Sequence, residues 1–250
     1  MNLFNSPPPE EAVKPLHPMS RWFQAVTGHF CFAVFTGLLL GISLVPAALC
    51  VYGFLSTGAL IYSLGWVVSG AAAGPVWTAI QRSAWEVQFG RPCYLYRSFL
   101  HWLRSGLRQG ALLGMLGMAL WTLLLSPAVM ALLGGAPMPV WLLALMAAGA
   151  AALAAAGGYA FYQAARWELP LRAALANSLL LLFAAKWRTL TAGVLWLVLP
   201  AALALWYPVV FPLCVITGLP VLMSITVQAV FAPEVDRLMA GNGETGSSRL

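Results

Sequence analysis

The stretch ALLGMLGMALWTLLLSPAVMALLGGAPMPVWLLALMAAGAAALAAAGGYAF, residues 111–161, decides the fold class because it contains no charged side chain. An apolar run longer than ~18 residues indicates a membrane-spanning helix, since ~20 helical residues cross a hydrocarbon core of ~30 Å. Strands of a membrane barrel would alternate polar and apolar residues, and this stretch does not. The sequence therefore predicts an all-α membrane protein.

The rest of the chain has the same character. It is 61% hydrophobic and only 8% charged, whereas an ordinary soluble domain is about 45–50% apolar. Asp, Glu, Lys and Arg are absent from three long runs: 22–81, 109–165 and 189–233. These runs predict a polytopic helical bundle of about six transmembrane helices, at 28–50, 54–80, 109–126, 140–161, 189–206 and 211–231. The number of spans before residue 66 stays open, because the first run has room for two spans or for one span and a re-entrant segment.

The two ends of the chain differ from its middle. Residues 1–18 are rich in proline and contain an acidic pair, and residues 239–250 are polar and rich in glycine and serine. Such compositions do not bury enough apolar surface to fold. We therefore expect disordered tails at 1–18 and 239–250, and a single transmembrane helical domain at 19–238.

Lysine and arginine positions predict the orientation. The chain has 13 of them against 7 acidic residues, and they occur in both tails and in the connections 82–108 and 166–188. An excess of Lys and Arg marks the cytoplasmic side. Six spans with both termini cytoplasmic place every basic residue there. We expect a multi-pass membrane protein that faces an anionic inner leaflet and needs no nucleic-acid partner.

A segment in the first basic connection, RSFLHWLRSGLRQ (97–109), is predicted to form a cytoplasmic amphipathic helix. Spacings of four, three and four residues place its basic side chains on one face: Arg97, His101, Arg104 and Arg108. We expect this helix to lie in the interface, with the basic residues at lipid phosphates and the aromatic residues in the acyl boundary. A docking site for an anionic ligand or a partner protein is the alternative.

Two copies of one pattern end the second and fourth predicted spans, QRSAWE (81–86) and QAARWE (163–168). Each contains a glutamine, an arginine and a Trp-Glu pair. They predict a parallel repeat of span, cytoplasmic helix and span, although a membrane boundary favours Arg and Trp in any case. A second cytoplasmic helix is expected within 168–188. The polar residues expected to make interhelical contacts are Gln81, Arg82, Glu86, Arg166, Glu168 and Asn177.

Small residues recur four positions apart and let helices approach closely. The pairs are Gly37 with Gly41, Gly70 with Gly74, and Gly110 with Gly114. Close packing within one chain is the expectation, and a homo-oligomer is the alternative.

No catalytic, metal-binding or cofactor-binding motif is found. The 4 cysteines are scattered without a C-x-x-C pair, and no H-E-x-x-H, phosphate-binding glycine loop or Ser/His/Asp set occurs. We therefore expect no catalytic residues, no metal and no cofactor, and predict that the chain is not an enzyme.

Three stretches carry a family resemblance. SGAAAGPVWTAIQRSAWE (69–86), followed by RSFLHWLRSGLRQGALLG (97–114), resembles the YesL-like bacterial integral membrane proteins, a family defined by a domain of unknown function. ARWELPLRAALANSLLLLFAAKWRTL (165–190) is similar to that family's helix with a central Asn, here Asn177, and a basic end. The resemblance covers about residues 60–240. It implies that the membrane is the bacterial inner membrane.

This resemblance implies a function but no catalytic residue. Family members often occur with carbohydrate-uptake genes, so sugar ABC transporter subunits are the implied partners. We expect a non-enzymatic membrane protein that is an accessory or regulatory component of carbohydrate uptake. A small membrane transporter or permeation pathway for an uncharged solute is the alternative.

Overall fold

A computed structural model describes residues 27–88, 95–135, 137–167 and 169–184, and the single positions 191, 194, 224 and 228. These ranges contain helices and no strand: α1 (Phe30–Thr57), α2 (Ile61–Gln88), α3 (Leu95–Ser105), α4 (Leu107–Gly134), α5 (Val140–Trp167) and α6 (Leu171–Ala184). The described part of the chain is all-α, as the sequence predicts. Both predicted tails lie outside the described residues, and so do the spans predicted at 189–206 and 211–231 except for those single positions.

Three helices are long and apolar enough to cross a membrane. They are Phe30–Thr57, Leu107–Ala131 and Val140–Trp167, with mean hydropathies of 2.3, 1.9 and 2.0. Only 22%, 11% and 17% of their most apolar windows is buried in the structure. A soluble protein would not leave so much contiguous apolar surface uncovered. These helices therefore indicate a membrane protein.

The first two helices meet later in the chain than the sequence predicts. The first was expected to end at Cys50, but α1 continues through Pro46 to Thr57, and α2 begins at Ile61 and is unbroken at Pro75. The turn is at Gly58, which has a φ of 68° and donates its N–H to the carbonyl four residues earlier at 2.7 Å. A left-handed glycine is a common end of a helix. Two separate helices therefore precede the first basic connection.

Helix α2 is the central helix of the described bundle and packs against α1, α3, α4 and α5. It has 28 residues, as α1 does, but it is not among the three candidate spans. A helix surrounded by protein needs less apolar surface than one surrounded by lipid. Accordingly, several of its buried side chains are polar: Ser69, Thr78, Gln81, Ser83 and Glu86.

The contact between α2 and α4 is made by backbone against backbone. Gly70 and Gly74 of α2 face Gly114 and Gly110 of α4, so that a Cβ added at Gly70, Gly74 or Gly114 would overlap a carbonyl group of the opposite helix. The close packing predicted from these two glycine pairs is present within the chain. Gly41 differs, because no atom lies within 4 Å of a Cβ added there.

Helix α3 packs on the bundle through its aromatic face. Phe99 is fully buried, and its ring meets those of Phe32 and Phe35 of α1 edge-on, with centroids 6.0 Å apart in both pairs. The sequence predicts these aromatic residues in the acyl boundary of a membrane. Phe99 instead belongs to the protein core, whereas Tyr96 and Leu100 of α3 are exposed.

Helix α6 packs against α5. Leu113 of α4 joins Ala160 and Ala164 of α5 in a small apolar cluster, and Leu171 and Leu175 of α6 cover it. This arrangement brings the start of α6 close to the end of α5, where the second copy of the repeated pattern lies.

Candidate functional site

Polar side chains gather where the ends of α2 and α5 meet α3. We call this cluster the polar junction, and its members are Gln81, Arg82, Trp85, Glu86, Trp102 and Arg166. Gln81 is 2% exposed and Glu86 is 7% exposed. Buried polar groups are stable only when they find partners, so the contacts of each member determine what the junction can do.

Arg82 links the two copies of the repeated pattern. Its Nη1 donates to the carbonyl oxygens of Ala165 at 3.0 Å and Arg166 at 2.8 Å. The last carbonyl groups of a helix have no partner within the helix and carry partial negative charge. A guanidinium placed there satisfies two of them and stabilises the end of α5.

Glu86 fixes α3 on α2. Its Oε1 accepts a hydrogen bond from Trp102 Nε1 at 3.0 Å and lies 3.7 Å from Arg82 Nε. The guanidinium carbon of Arg82 lies 4.3 Å from the centroid of the Trp102 ring, within the range of a cation–π contact. One carboxylate and one indole therefore hold α3 against the end of α2.

Gln81 forms the deepest contacts of the polar junction. Its Nε2 donates to Ser224 Oγ at 3.1 Å, and Gln228 Nε2 donates to Gln81 Oε1 at 2.9 Å and to its backbone oxygen at 2.6 Å. Ser224 and Gln228 are both fully buried. Through them the junction reaches a part of the chain far from α2 in sequence.

The second copy of the pattern is built in a related way. Gln163 is fully buried, as Gln81 nearly is, and donates through Nε2 to Ser178 Oγ of α6 at 3.4 Å. Arg166 lies over the Trp85 ring, with 3.7 Å between its guanidinium carbon and the ring centroid. Each copy therefore supplies a buried glutamine that bonds to another part of the chain, and each arginine contacts the other copy. Glu168 lies outside the described residues.

The remaining predicted site residues lie apart from the polar junction. Arg97, His101, Arg104 and Arg108 are all exposed, and in the described ranges none of them forms an ion pair. They form a basic surface along α3 and the first turn of α4. Asn177 is half-buried and makes no hydrogen bond with a described residue, whereas its neighbour Ser178 is buried and bonded to Gln163.

Trp102 of the polar junction, and Ser224 and Gln228 that bond to Gln81, were not predicted as contact residues from the sequence. Ser224 and Gln228 had a usable signal, because they are spaced one helical turn apart within an otherwise apolar run. Trp102 had none, since nothing local distinguishes an indole that faces lipid from one that donates to a carboxylate.

Two cavities adjoin these elements. One of about 220 Å³ lies beside the polar junction and is lined by Thr78, Arg82, Trp102, Gln109 and the α3–α4 turn. Another of about 450 Å³ is almost wholly apolar and lies between α4, α5 and α6. Among the residues that the structure describes, no three His, Cys, Asp or Glu side chains come together as metal ligands.

No protein-family model matches the chain, and no curated protein or solved structure is significantly similar to it. Its function must therefore be argued from its residues and their geometry.

Proposed function

We propose that this chain is a six-span integral protein of the bacterial inner membrane with both termini in the cytoplasm. The observation that supports this topology is the placement of charge on the helices. The charged residues of the described ranges lie at one end of the bundle, where the ends of α2 and α5 contact α3 and the start of α4. They are Arg82, Glu86, Arg97, Arg104, Arg108, Arg166 and Arg172. The turn at 58–60 and the described residues between α4 and α5 carry no charge. An end enriched in arginine is expected on the cytoplasmic side.

Two helices at this end fit an interfacial position. The described part of α6 has 14 residues, roughly 21 Å at 1.5 Å per residue, which is less than a hydrocarbon core of about 30 Å. Helix α3 exposes Tyr96 and Leu100 beside its basic surface, an arrangement suited to the boundary between acyl chains and phosphates.

The role that we propose is non-enzymatic. Gln81, Arg82 and Glu86 of the polar junction bond to other side chains and to backbone carbonyls, so they act as fixed connections between parts of the chain. The basic surface of α3 remains exposed and is the surface best suited to dock a partner. The resemblance of 69–86 and 97–114 to YesL-like proteins adds the link to carbohydrate uptake. We therefore propose an accessory or regulatory component of a sugar ABC transporter.

Mild crosslinking in cells grown on an inducing sugar, followed by purification of the tagged chain, tests this role. We expect transporter subunits with the wild-type chain and fewer with the double variant Arg97→Gln/Arg104→Gln, because the docking charge is removed. Arg172→Gln, an exposed arginine on α6, is the matched control. Failure to recover any transporter subunit with the wild-type chain contradicts the proposed role.

A permeation pathway for a small uncharged solute is the second candidate. The observation that favours it is the cavity of about 220 Å³ beside the polar junction, with hydroxyl, amide and indole groups in its wall. Purified protein in liposomes should then pass a labelled sugar faster than empty liposomes. Gln109→Leu should reduce that flux if the cavity lies on the path, and a flux equal to that of empty liposomes eliminates this candidate.

A further inference from the structure

The two arginines of the repeated pattern have different surroundings. Arg82 donates to two backbone carbonyls and lies near the Glu86 carboxylate. Among the described residues, the guanidinium of Arg166 contacts aromatic rings, with its carbon 3.7 Å from the Trp85 centroid and 5.0 Å from the Trp167 centroid. Its Nε is buried and has no hydrogen-bond acceptor, and within the described residues it forms no ion pair.

We propose that Arg166 is the centre of an oxyanion-binding site that takes a phosphate group, either of a lipid headgroup or of a free phosphate. A half-buried guanidinium whose Nε has no acceptor is unfavourable, because burial removes the water that would otherwise bond that N–H group. Glu86 is engaged by Arg82 and Trp102 through Oε1, whereas its Oε2 is buried without a hydrogen-bond partner. Among the residues that the structure describes, the polar junction therefore contains two guanidinium groups and one carboxylate, and that carboxylate pairs with Arg82.

The aromatic contacts determine which ligand geometry fits. Trp85 is 6% exposed and covers a face of the guanidinium, so acceptors must approach in the guanidinium plane. A planar guanidinium edge with parallel N–H bonds matches two oxygens of one phosphate, and such charge-assisted pairs are stronger than neutral hydrogen bonds. A lysine offers no comparable edge.

The surroundings favour an anion although Arg166 is at the C-terminal end of α5. The carbonyls of Ala165 and Arg166, which would repel an anion, already accept hydrogen bonds from Arg82. Trp167 is 39% exposed, as expected for an indole at a membrane boundary. A phosphate group at that boundary would lie within reach of the Arg166 side chain. This site does not depend on the proposed link to carbohydrate uptake.

Native mass spectrometry of the purified chain in a neutral detergent tests the site. The chain is titrated in separate arms with phosphatidylglycerol, inorganic phosphate and diacylglycerol. We expect a saturable complex with phosphatidylglycerol, and one with inorganic phosphate if the headgroup is not required. Diacylglycerol should not form it. Arg166→Gln should weaken the complex at least about tenfold, since a hydrogen-bonded charge pair is lost.

Two further variants keep the test decisive. Arg166→Lys retains the charge but not the planar edge and should weaken binding about threefold or more, which remains measurable if Arg166→Gln does not fold. Arg172→Gln should bind as the wild type does. Equal binding by wild type and Arg166→Gln, or an equal response to diacylglycerol and phosphatidylglycerol, overturns the proposal.

Discussion

The guanidinium of Arg82 donates to two carbonyls at the end of α5, lies beside Glu86 of its own helix and covers the Trp102 ring of α3. Its side chain is 16% exposed, so these contacts are partly shielded from water. Only arginine combines several donors in one plane with a face that stacks on an indole. Arg82 therefore connects three helices at the charged end of the bundle.

Arg82→Gln should lower the free energy of unfolding by about 2–3 kcal/mol, because hydrogen bonds from a charged donor are lost and two carbonyls lose their partner. Arg104→Gln, at an exposed arginine of α3, should change it by less than about 0.5 kcal/mol. Reversible unfolding in detergent, followed by tryptophan fluorescence, measures both. Equal effects of the two changes would show that the contacts of Arg82 are not stabilising.

Where the glycines of α2 and α4 face each other, there is room for a hydrogen atom but not for a methyl group. In Gly114→Ala the new methyl group overlaps the Gly70 carbonyl, and we expect destabilisation of about 1–3 kcal/mol from the forced separation of the helices. Gly117, three residues further along α4, has no atom within 4 Å of an added Cβ. There the same change should be neutral or stabilise the helix by up to about 1 kcal/mol.

The expected changes in stability have opposite signs at Gly114 and Gly117. Comparing the two variants therefore separates the effect of the α2–α4 contact from the general effect of replacing a glycine in a helix. Thermal unfolding of the two purified variants in one detergent is sufficient. A stabilising effect at both positions would contradict the close approach of α2 to α4.

At the level of helices, composition predicted the fold class of the described residues but not every boundary. A proline inside a helix removes a backbone hydrogen bond, yet α1 and α2 continue through Pro46 and Pro75, because a helix packed among others can tolerate that loss. Helix α1 is capped by Gly58, but the sequence contains many other glycines that do not end a helix. Residue type alone therefore did not locate this boundary. Helix α3 shows a second limit, since an aromatic face looks the same in sequence whether it meets lipid or protein.

For the molecule as a whole, the charge distribution predicts which connections a reagent can reach. In a background without the other native cysteines, Cys93 alone should be protected in intact cells from a membrane-impermeant thiol reagent. Gly134→Cys in a cysteine-free background should react, because that exposed residue lies at the uncharged end of α4. Labelling after permeabilisation is the control, and the reverse pattern in intact cells contradicts the proposed orientation.

The polar junction also shows how far one sequence predicts a site. The repeated pattern picked out Gln81, Arg82 and Glu86 as polar residues at a helix end, and their local spacing was sufficient for that. The approach of Arg82 to the end of α5 joins residues far apart in the chain, so local patterns carry no information about it. The partners of Gln81 at Ser224 and Gln228 are more distant still.

The confinement of charge to one end of the helices has an electrical consequence. A voltage across a membrane acts on charges within its field, at ~2.3 kcal/mol per elementary charge for each 100 mV. Residues 30–81 and 109–165 contain no Asp, Glu, Lys or Arg, so depolarisation does little work on α1, on most of α2, or on the apolar lengths of α4 and α5. The conformation of these helices should therefore be insensitive to the membrane voltage. A change in the energy supply of the cell would alter their conformation through molecules that bind at the charged end.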